Sequence, residues 1–229
     1  MGIVPKLWKI KTVSPVYKAD AKDDAGNYRP ISVVSTSMKV FEKLVYDQMI
    51  SFILHHNILH SNQSGFRNGF STTSAALAVK EHIIKSLEKN KFVCAVLIDL
   101  SKAFDTVDHT ILLKKLFCYG FRDTSFDWCK SYLECRQQCV NVNGTLSDFL
   151  EEKPFGVPQG SVLGPLFFLL YINNIQSAIL SSYFHLYADD TIIIQGSNDL
   201  QDHIYNLESE LSNVFCKTSK SKAMQKSFH

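Results

Sequence analysis

Three aspartates are the residues of this chain whose types and spacing could carry chemistry. Asp189 and Asp190 lie between two β-prone runs, 183–186 and 191–194, so a hairpin turn is predicted at the pair. Adjacent carboxylates in a turn repel each other, and a divalent cation that shares their charge relieves that repulsion. An ordinary polar turn also favours Asp, so the pair by itself leaves both interpretations open.

The third aspartate, Asp99, ends a nearly all-apolar run at residues 92–100. Such a run predicts a central strand buried on both faces. If this strand neighbours the hairpin in one sheet, three carboxylates converge at one edge and form a two-metal site. Magnesium prefers carboxylate oxygens, water and substrate phosphates, and a pair of ions can activate a 3′-hydroxyl and stabilise a pyrophosphate leaving group. The predicted chemistry is phosphoryl transfer, which needs few other catalytic groups.

Bulk composition predicts a globular protein of one domain or two packed subdomains, since 229 residues are 45% hydrophobic and 20% charged. The net charge is only +2, but basic ends flank an acidic middle, which suits a carboxylate site reached by a phosphate backbone. The first twenty residues predict no signal peptide. The longest apolar run, 162–172, is too short for a membrane span and predicts a buried core helix.

The cysteines show no C-x2-C pair, which argues against a disulfide scaffold and a zinc knuckle, so we expect reduced, mostly structural thiols. One alternative is that Cys135 and Cys139 join a histidine in a metal site. The six cysteines are Cys94, Cys118, Cys129, Cys135, Cys139 and Cys216.

Either irregular structure or short strands, punctuated by prolines, are predicted for residues 1–35, and apolar spacing predicts helices over 36–56 and from about Asn198. Expected helix caps are Ser71 or Thr72, then Asp108, then Thr124. Asn143-Gly144 predicts a two-residue hairpin turn, and a polar, poorly ordered tail is expected from Lys217.

Five ordered blocks resemble the reverse transcriptases of non-LTR, LINE-type retrotransposons. The resemblance covers nearly the whole chain, from about Trp8 to Leu211, and five blocks are far more specific than one. In chain order the blocks are NYRPIS at 27–32, SGFR at 64–67, FVCAVLIDLSKAFDTVDH at 92–109, GVPQGSVLGP at 156–165 and YADD at 187–190.

This resemblance implies that Asp99, Asp189 and Asp190 are the catalytic carboxylates and hold two Mg²⁺ ions, with Mn²⁺ as an alternative. Phe104 would be the aromatic gate that rejects a ribose 2′-hydroxyl by collision. On spacing alone, a core phenylalanine would be the better interpretation of Phe104. Asp105 matches the family motif but receives no role, and Asp108 is interpreted as a cap.

Further residues are implied to bind the incoming nucleotide. The backbone from Leu100 through Ser101, Lys102 and Ala103 would lie along the triphosphate, and Arg29, with Lys18 or Lys22, would reach it. Tyr187, Gln159 and Gly160 complete the nucleotide site, where glycine allows close approach of the backbone. Arg67 would contact template or phosphate, the alternative being a solvated loop arginine.

The match weakens after Val214, where the family has a tryptophan, an Asn-containing strand and a Lys-Thr or Lys-Ser pair. Lys220 or Lys222 would be the lysine that protonates pyrophosphate. The sequence predicts no thumb and no endonuclease domain, so we expect a fragment of a larger retrotransposon polyprotein.

The implied fold is α+β: a right-hand polymerase palm with a ferredoxin-like antiparallel sheet, plus α-rich fingers, with the thumb missing. Residues 1–91 would form mainly the fingers, 92–211 the palm with a helical and hairpin insertion at about 110–150, and 212–229 a polar tail, truncated or diverged. The implied activity is that of an RNA-directed DNA polymerase. The alternative is a catalytically silent nucleic-acid-binding remnant, and a nucleotidyl cyclase is a weaker one because it leaves GVPQGSVLGP and NYRPIS unexplained.

The implied partners are an RNA template, a DNA primer and deoxynucleoside triphosphates, with no membrane. The protein would be intracellular, and nuclear by the family's habit of copying at the target DNA. No oligomeric state follows from the residues.

Overall fold

The computed structural model describes residues 2–100 and 102–219. Helices and strands are mixed, which confirms the predicted α+β class. The chain divides into two compact units, each built from two separate stretches: unit 1 comprises residues 1–56 and 107–170, and unit 2 comprises 57–106 and 171–229. This division differs from the predicted boundary between residues 91 and 92, so the assignment of fingers and palm stays a prediction.

Unit 1 contains a mixed sheet of short strands. Two antiparallel strands, β1 (Ile10–Tyr17) and β2 (Tyr28–Val33), occupy the region where short strands were predicted. β1 also pairs in parallel with β4 (Gln137–Val142), which carries the short partners β5 (Thr145–Leu146) and β6 (Leu150–Glu151). Asn143 and Gly144 both have positive φ, 52° and 88°, as the predicted two-residue turn requires.

The helices of unit 1 begin at caps that are largely readable from the sequence. α1 (Thr36–His55) is capped by Ser35, and α3 (His109–Cys118) by Asp108, whose carboxylate accepts the amide of Ile111 at 3.0 Å as predicted. α4 (Asp123–Leu133) begins after Arg122, so the predicted cap Thr124 was wrong and lies inside the helix. The Ser125 side chain bonds the Arg122 backbone there, which moves the start two residues earlier.

The helix α5 (Leu163–Ile172) confirms the predicted buried core helix, since its side chains from Leu166 to Leu170 are all at most 2% exposed. Pro165 lies in its first turn, where its missing N–H costs nothing. Within unit 1, Phe167 packs against Tyr132 of α4 with ring centroids 5.6 Å apart. No helix in the described part of the chain is long and apolar enough to cross a membrane.

Unit 2 is a three-stranded antiparallel sheet of order β3 (Phe92–Ile98), β8 (Asp190–Ser197), β7 (Tyr183–Tyr187), with helices α2 (Thr72–Leu87) and α6 (Leu200–Ser219). α2 is capped by Ser71, one of the two predicted caps, which forms a reciprocal capping box with Ser74. α6 contacts β8 and the short 3₁₀ helix Asn173–Ala178. The predicted poorly ordered tail lies outside the described residues from 220 onward.

The prediction of β3 as a central strand buried on both faces was wrong. Among the described residues only β8 pairs with β3, so β3 is an edge strand. Leu97 is 78% exposed and Phe92 57% exposed. An apolar run shows that a segment favours β structure, but burial depends on elements that pack on it from elsewhere in the chain.

Five of the cysteines are free thiols, as predicted: Cys94, Cys118, Cys129, Cys135 and Cys139. Cys139 is buried, with its sulfur 3.7 Å from the Thr12 hydroxyl, whereas Cys135 is exposed.

Candidate active site

Strand pairing brings the three predicted carboxylates to one end of the unit 2 sheet. β3 and β8 pair antiparallel up to Ile98 opposite Thr191, so the next residue on each side places Asp99 opposite Asp190. β7 and β8 pair up to Tyr187 opposite Asp190, which leaves Ala188 and Asp189 as the two residues of the turn. The expectation that these strands are neighbours in one sheet is confirmed.

The turn itself has an unusual backbone. Ala188 adopts φ 59°, a left-handed conformation that non-glycine residues rarely adopt. Ala188 is buried, and the backbone of Gly65 lies directly against it: a Cβ on residue 65 would lie 2.1 Å from the Ala188 nitrogen. Residue 65 must therefore be glycine for this approach to occur.

Charge accumulates at the turn. The pKa of the Asp189 carboxyl is raised, first by its partial burial and then by the negative charges of Asp190 and Asp99, while a hydrogen bond from its own backbone amide acts in the opposite direction. Asp99 and Asp190 are exposed. The Asp189 carboxylate therefore interacts electrostatically with the other two, and a cation bound beside it would stabilise its charged form.

The metal assignment itself stays a prediction. Within the described residues, no three His, Cys, Asp or Glu side chains are gathered tightly enough to form a metal site as they stand. The three carboxylates nonetheless suit a hard divalent cation, because Mg²⁺ prefers negatively charged oxygen ligands.

A cavity of ≈ 500 Å³ opens beside the carboxylates on the α2 side of the sheet. Its walls are mainly apolar, with the carboxylates of Asp99 and Asp190 and the rings of His185 and Tyr187 at its edge. The lining residues are Ala75, Ala76, Val79, Leu97, Ile98, Asp99, His185, Tyr187, Asp190, Thr191 and Ile192. A mainly apolar cavity with a few convergent polar groups is typical of a ligand site.

The segment after Asp99 turns sharply into a short 3₁₀ helix, Ala103–Thr106. The Ala103 amide bonds the Leu100 carbonyl at 3.2 Å, and Lys102 has φ 52°, so the Ala103 amide already has a partner within the turn. Ser101, predicted to line the triphosphate, lies outside the described residues. Phe104 is half-buried, and its ring meets that of Phe66 edge-on at 5.9 Å.

Arg67 has partners within its own loop. One guanidinium nitrogen donates to the carbonyls of His60 and Gln63, both at 2.9 Å, and the group lies 4.7 Å from the Phe70 ring. Partial burial lowers the pKa of Arg67. Its predicted contact with template or phosphate stays a prediction, whereas its role in shaping the loop is observed.

The remaining predicted residues, Arg29, Gln159 and Gly160, belong to unit 1. The Gln159 carbonyl accepts the Ser32 amide at 2.8 Å, and a Cβ on Gly160, whose φ is 103°, would lie 2.8 Å from the Ser32 carbonyl. The NYRPIS and GVPQG blocks are thus bound to each other through their backbones. Arg29 is exposed on β2.

Lys18 and Lys22, the alternatives for reaching the triphosphate, are both exposed in the loop that joins β1 to β2. That loop also carries Asp20, Asp23 and Asp24, so it holds no net positive charge that would attract phosphate. Lys220 and Lys222 lie outside the described residues.

One residue of the site was missed from the sequence. Gln63 is 1% exposed, and its side-chain amide bonds the backbone of Ala188. The available signal was its position directly before SGFR, because a polar side chain next to a motif loop is a candidate for satisfying that loop's backbone.

Comparison with known proteins assigns the chain to a family. Residues 17–229 match the family described as "Reverse transcriptase (RNA-dependent DNA polymerase)". The chain is 31% identical over 230 residues to the probable RNA-directed DNA polymerase from transposon BS of Drosophila melanogaster, covering 93% of this chain and 24% of that protein. It is 30% identical over 239 residues to the corresponding protein from transposon X-element of the same organism, covering 94% and 26%.

Among solved structures, apo telomerase from Candida tropicalis truncated from its C-terminal domain superposes with a TM-score of 0.65 at 15% identity, covering 92% of this chain and 47% of that chain. At 15% identity this structural similarity shows the fold alone. The chain spans about a quarter of the length of the curated relatives above. The family match over nearly its whole length nevertheless shows that the chain belongs to the reverse transcriptase (RNA-dependent DNA polymerase) family, as its five motif blocks predicted.

Proposed function

We propose that this chain carries the polymerase centre of an RNA-directed DNA polymerase and transfers deoxynucleotides onto a primer 3′-hydroxyl. The observation that carries the proposal is the pairing of β3 with β8, which sets Asp99 opposite Asp190 beside the turn residue Asp189. Family membership supports the same reaction. The partners would be an RNA template, a DNA primer and deoxynucleoside triphosphates, and copying at target DNA would place the protein in the nucleus.

Asp99, Asp189 and Asp190 would hold the metal. Their mutual repulsion, expressed in the raised pKa of Asp189, is what a divalent cation offsets. Bound Mg²⁺, or Mn²⁺ in its place, would supply charge neutralisation for the phosphates and a more acidic primer hydroxyl. The contribution of the protein is to hold the three carboxylates in place before substrate arrives, since phosphoryl transfer depends mainly on position and charge.

The other residues would orient the nucleotide. Phe104, supported edge-on by Phe66, would limit the space beneath the sugar and reject a 2′-hydroxyl. The segment Leu100, Ser101, Lys102 and Ala103 would follow the triphosphate, and Tyr187 would border the cavity beside Asp190. From unit 1, Arg29 would pair with phosphate, and Gln159 and Gly160 would approach the base and template; Arg67 would shape its loop and contact template.

At the level of architecture, we propose that the antiparallel sheet β3-β8-β7 belongs to a palm of the right-hand polymerase type. The helices and sheet of residues 1–91 would contribute fingers. The palm assignment is supported by the carboxylates at one end of this sheet and by the cavity of ≈ 500 Å³ beside them.

Primer extension tests the proposal. Purified protein is given an RNA template, a DNA primer, Mg²⁺ and deoxynucleotides, beside the variants Asp189→Asn and Asp148→Asn. Asp148 is exposed and is not among the residues proposed for the site, so its variant makes the same chemical change at an unrelated carboxylate. We expect Asp189→Asn to reduce extension at least about 100-fold, because the reacting groups lose a positioning charge, and Asp148→Asn to leave it unchanged.

Template–primer affinity measured on the same samples separates the proposal from its alternative. Binding without extension by the unsubstituted protein identifies a silent nucleic-acid-binding remnant. Extension that is equal in the unsubstituted protein and in Asp189→Asn contradicts the assignment of the carboxylates.

A further inference from the structure

A four-residue segment, 62–65, lies beside the hairpin of unit 2 that β7 and β8 form. The Leu186 amide donates to the Asn62 carbonyl, and the Ser64 amide donates to the Leu186 carbonyl, both at 2.8 Å. Residue 63 thereby forms a parallel bridge with Leu186 on β7. The segment extends the sheet by one short stretch next to the turn that carries Asp189.

The side chain between these two backbone bonds is buried and aimed at the turn. Gln63 Oε1 accepts the Ala188 amide at 3.1 Å and the Gly65 amide at 2.8 Å, and Gln63 Nε2 donates to the Ala188 carbonyl at 3.4 Å. The side-chain amide of Gln63 thus bonds both backbone polar groups of Ala188. A buried amide needs such partners, because an unsatisfied polar group in the interior is costly.

The same contact explains the backbone of the turn. Ala188 is held at φ 59° without the conformational freedom of glycine, so surrounding structure must impose the conformation. Gln63 fixes the two polar groups of Ala188, and the bare backbone of Gly65 packs against its nitrogen and Cα. The residue that follows Ala188 is Asp189, so the direction of that carboxylate is set through the peptide that Gln63 holds.

We propose that Gln63 is a positioning residue: its side-chain amide locks the Ala188 peptide and thereby holds Asp189 in its place beside Asp99 and Asp190. This role rests on the proposed polymerase function, in which Asp189 helps to hold the metal. Gln63 does not touch the reacting groups, so it acts through the turn alone.

A neighbouring residue supplies a matched control. Asn62 also donates a side-chain hydrogen bond to the hairpin, to the Phe184 carbonyl at 2.7 Å, but this bond lies on β7 away from the turn. Gln63→Met keeps the length of the side chain and removes its bonds to the turn. Asn62→Ala removes a comparable bond from the same segment and leaves the Ala188 peptide held.

Hydrogen exchange tests the contact without any activity. In the unsubstituted protein the Ala188 amide, which has no partner in the strand ladder, is expected to exchange as slowly as the ladder amides of β7. Gln63→Met is expected to speed its exchange about tenfold relative to those amides, and Asn62→Ala is not. Rapid exchange of Ala188 in the unsubstituted protein overturns the proposal, even if a variant does not fold.

Two functional measurements test the consequence for Asp189. In primer extension, Gln63→Met is expected to lower kcat by about 10- to 100-fold with little change in the nucleotide KM, whereas Asn62→Ala is expected to retain kcat. In Mn²⁺ titrations followed by electron paramagnetic resonance, Gln63→Met is expected to bind the ion more weakly than Asn62→Ala does.

If the unsubstituted protein extends no primer, the polymerase proposal fails. Amide hydrogen exchange and Mn²⁺ titration, which need no activity, still decide the role of Gln63. Gln63→Met could speed exchange of the Ala188 amide and still match Asn62→Ala in Mn²⁺ affinity and, where extension is measurable, in kcat. That result would show that the positioning role is wrong.

Discussion

At the scale of single residues, the site depends on one close approach between two backbones. Gly65 has no side chain, and this lets its backbone reach the nitrogen of Ala188. Gln63 then bonds the same residue from the side. Carboxylates in a turn need such support, because a turn has no ladder hydrogen bonds of its own and adjacent charges repel each other.

Gly65→Ala tests this approach. The new methyl group would lie 2.1 Å from the Ala188 nitrogen and 2.7 Å from its Cα, so one backbone must move. We expect the free energy of unfolding to fall by about 1–3 kcal/mol or more, as for other overpacked sites. Urea denaturation followed by circular dichroism measures it.

Gly69→Ala in the same loop is the control. Its new methyl group meets open space, but φ is +82°, so the cost is that of a left-handed backbone conformation, about 1–2 kcal/mol. A loss in Gly65→Ala no larger than in Gly69→Ala would show that the hairpin accommodates the methyl group.

At the scale of elements, one buried carboxylate in unit 1 joins three helices. Glu42 of α1 is fully buried, and it accepts the Tyr132 hydroxyl of α4 at 2.7 Å and the Val162 amide, just before α5, at 2.6 Å. Burial, followed by the charge of Glu42, raises the pKa of Tyr132, so this hydroxyl stays protonated and remains a donor.

Tyr132→Phe removes that donor and keeps the ring. We expect a loss of about 1–3 kcal/mol in the free energy of unfolding, because a buried carboxylate oxygen loses its partner. Tyr46→Phe on the more exposed part of α1 is the comparison, with an expected change within about 0.5 kcal/mol. Equal urea midpoints for the two variants would contradict a structural role for the Glu42–Tyr132 bond.

In unit 2, Glu210 ties α6 to the loop before β7. One of its oxygens accepts the amides of Leu180, Ser181 and Ser182 and the Ser181 hydroxyl, at 2.6–3.2 Å. Burial alone would raise the pKa of this carboxyl, but the hydrogen bonds outweigh it and lower the pKa below its usual 4.5. A carboxyl with a depressed folded pKa stabilises the fold fully above its unfolded pKa, and this stability is lost as pH falls through the folded pKa.

Urea unfolding between pH 7 and pH 3 tests this linkage. The unsubstituted protein is expected to lose stability as the pH falls below 4.5, and Glu210→Gln is expected to lose less over the same range and to start roughly 1 kcal/mol lower at pH 7. Glu208→Gln, an exposed change on the same helix, is expected to follow the unsubstituted protein. Parallel curves for all three proteins would exclude Glu210 as the group responsible.

At the scale of the whole molecule, the two units are interleaved in sequence. Residues 57–91 belong to unit 2, where α2 contacts β3, β7 and β8 and segment 62–65 supports the hairpin. A cut between residues 91 and 92, where fingers and palm were predicted to meet, therefore divides unit 2. The order of the motif blocks therefore does not show where a structural unit begins or ends.

A fragment of residues 92–229 tests this organisation. It lacks α2 and Gln63, so β7 loses its partner segment and we expect no cooperative urea transition and poorly dispersed amide resonances. Coexpression with a fragment of residues 1–91 is expected to restore both. Cooperative unfolding of 92–229 alone would show that α2 and segment 62–65 are dispensable for the sheet.

Local features were predictable from the sequence because their hydrogen bonds join residues a few positions apart. Ser71 caps α2, Asp108 caps α3 and Asn143-Gly144 forms a hairpin turn, each through contacts within three residues. The five motif blocks also sufficed for the family. Hydrophobic periodicity further predicted α1, and a continuous apolar run predicted α5, because both signals are local to the segment.

Only the tertiary structure decided what each element packs against. It made β3 an edge strand with Leu97 exposed, joined β1 to β4 in parallel, and set Asp99 opposite Asp190. It also placed the Gln63 amide on Ala188, a residue 125 positions away. Residue types determine which groups can bond, but a partner so distant is selected by the whole folded chain, because closing such a contact depends on every element between the two residues.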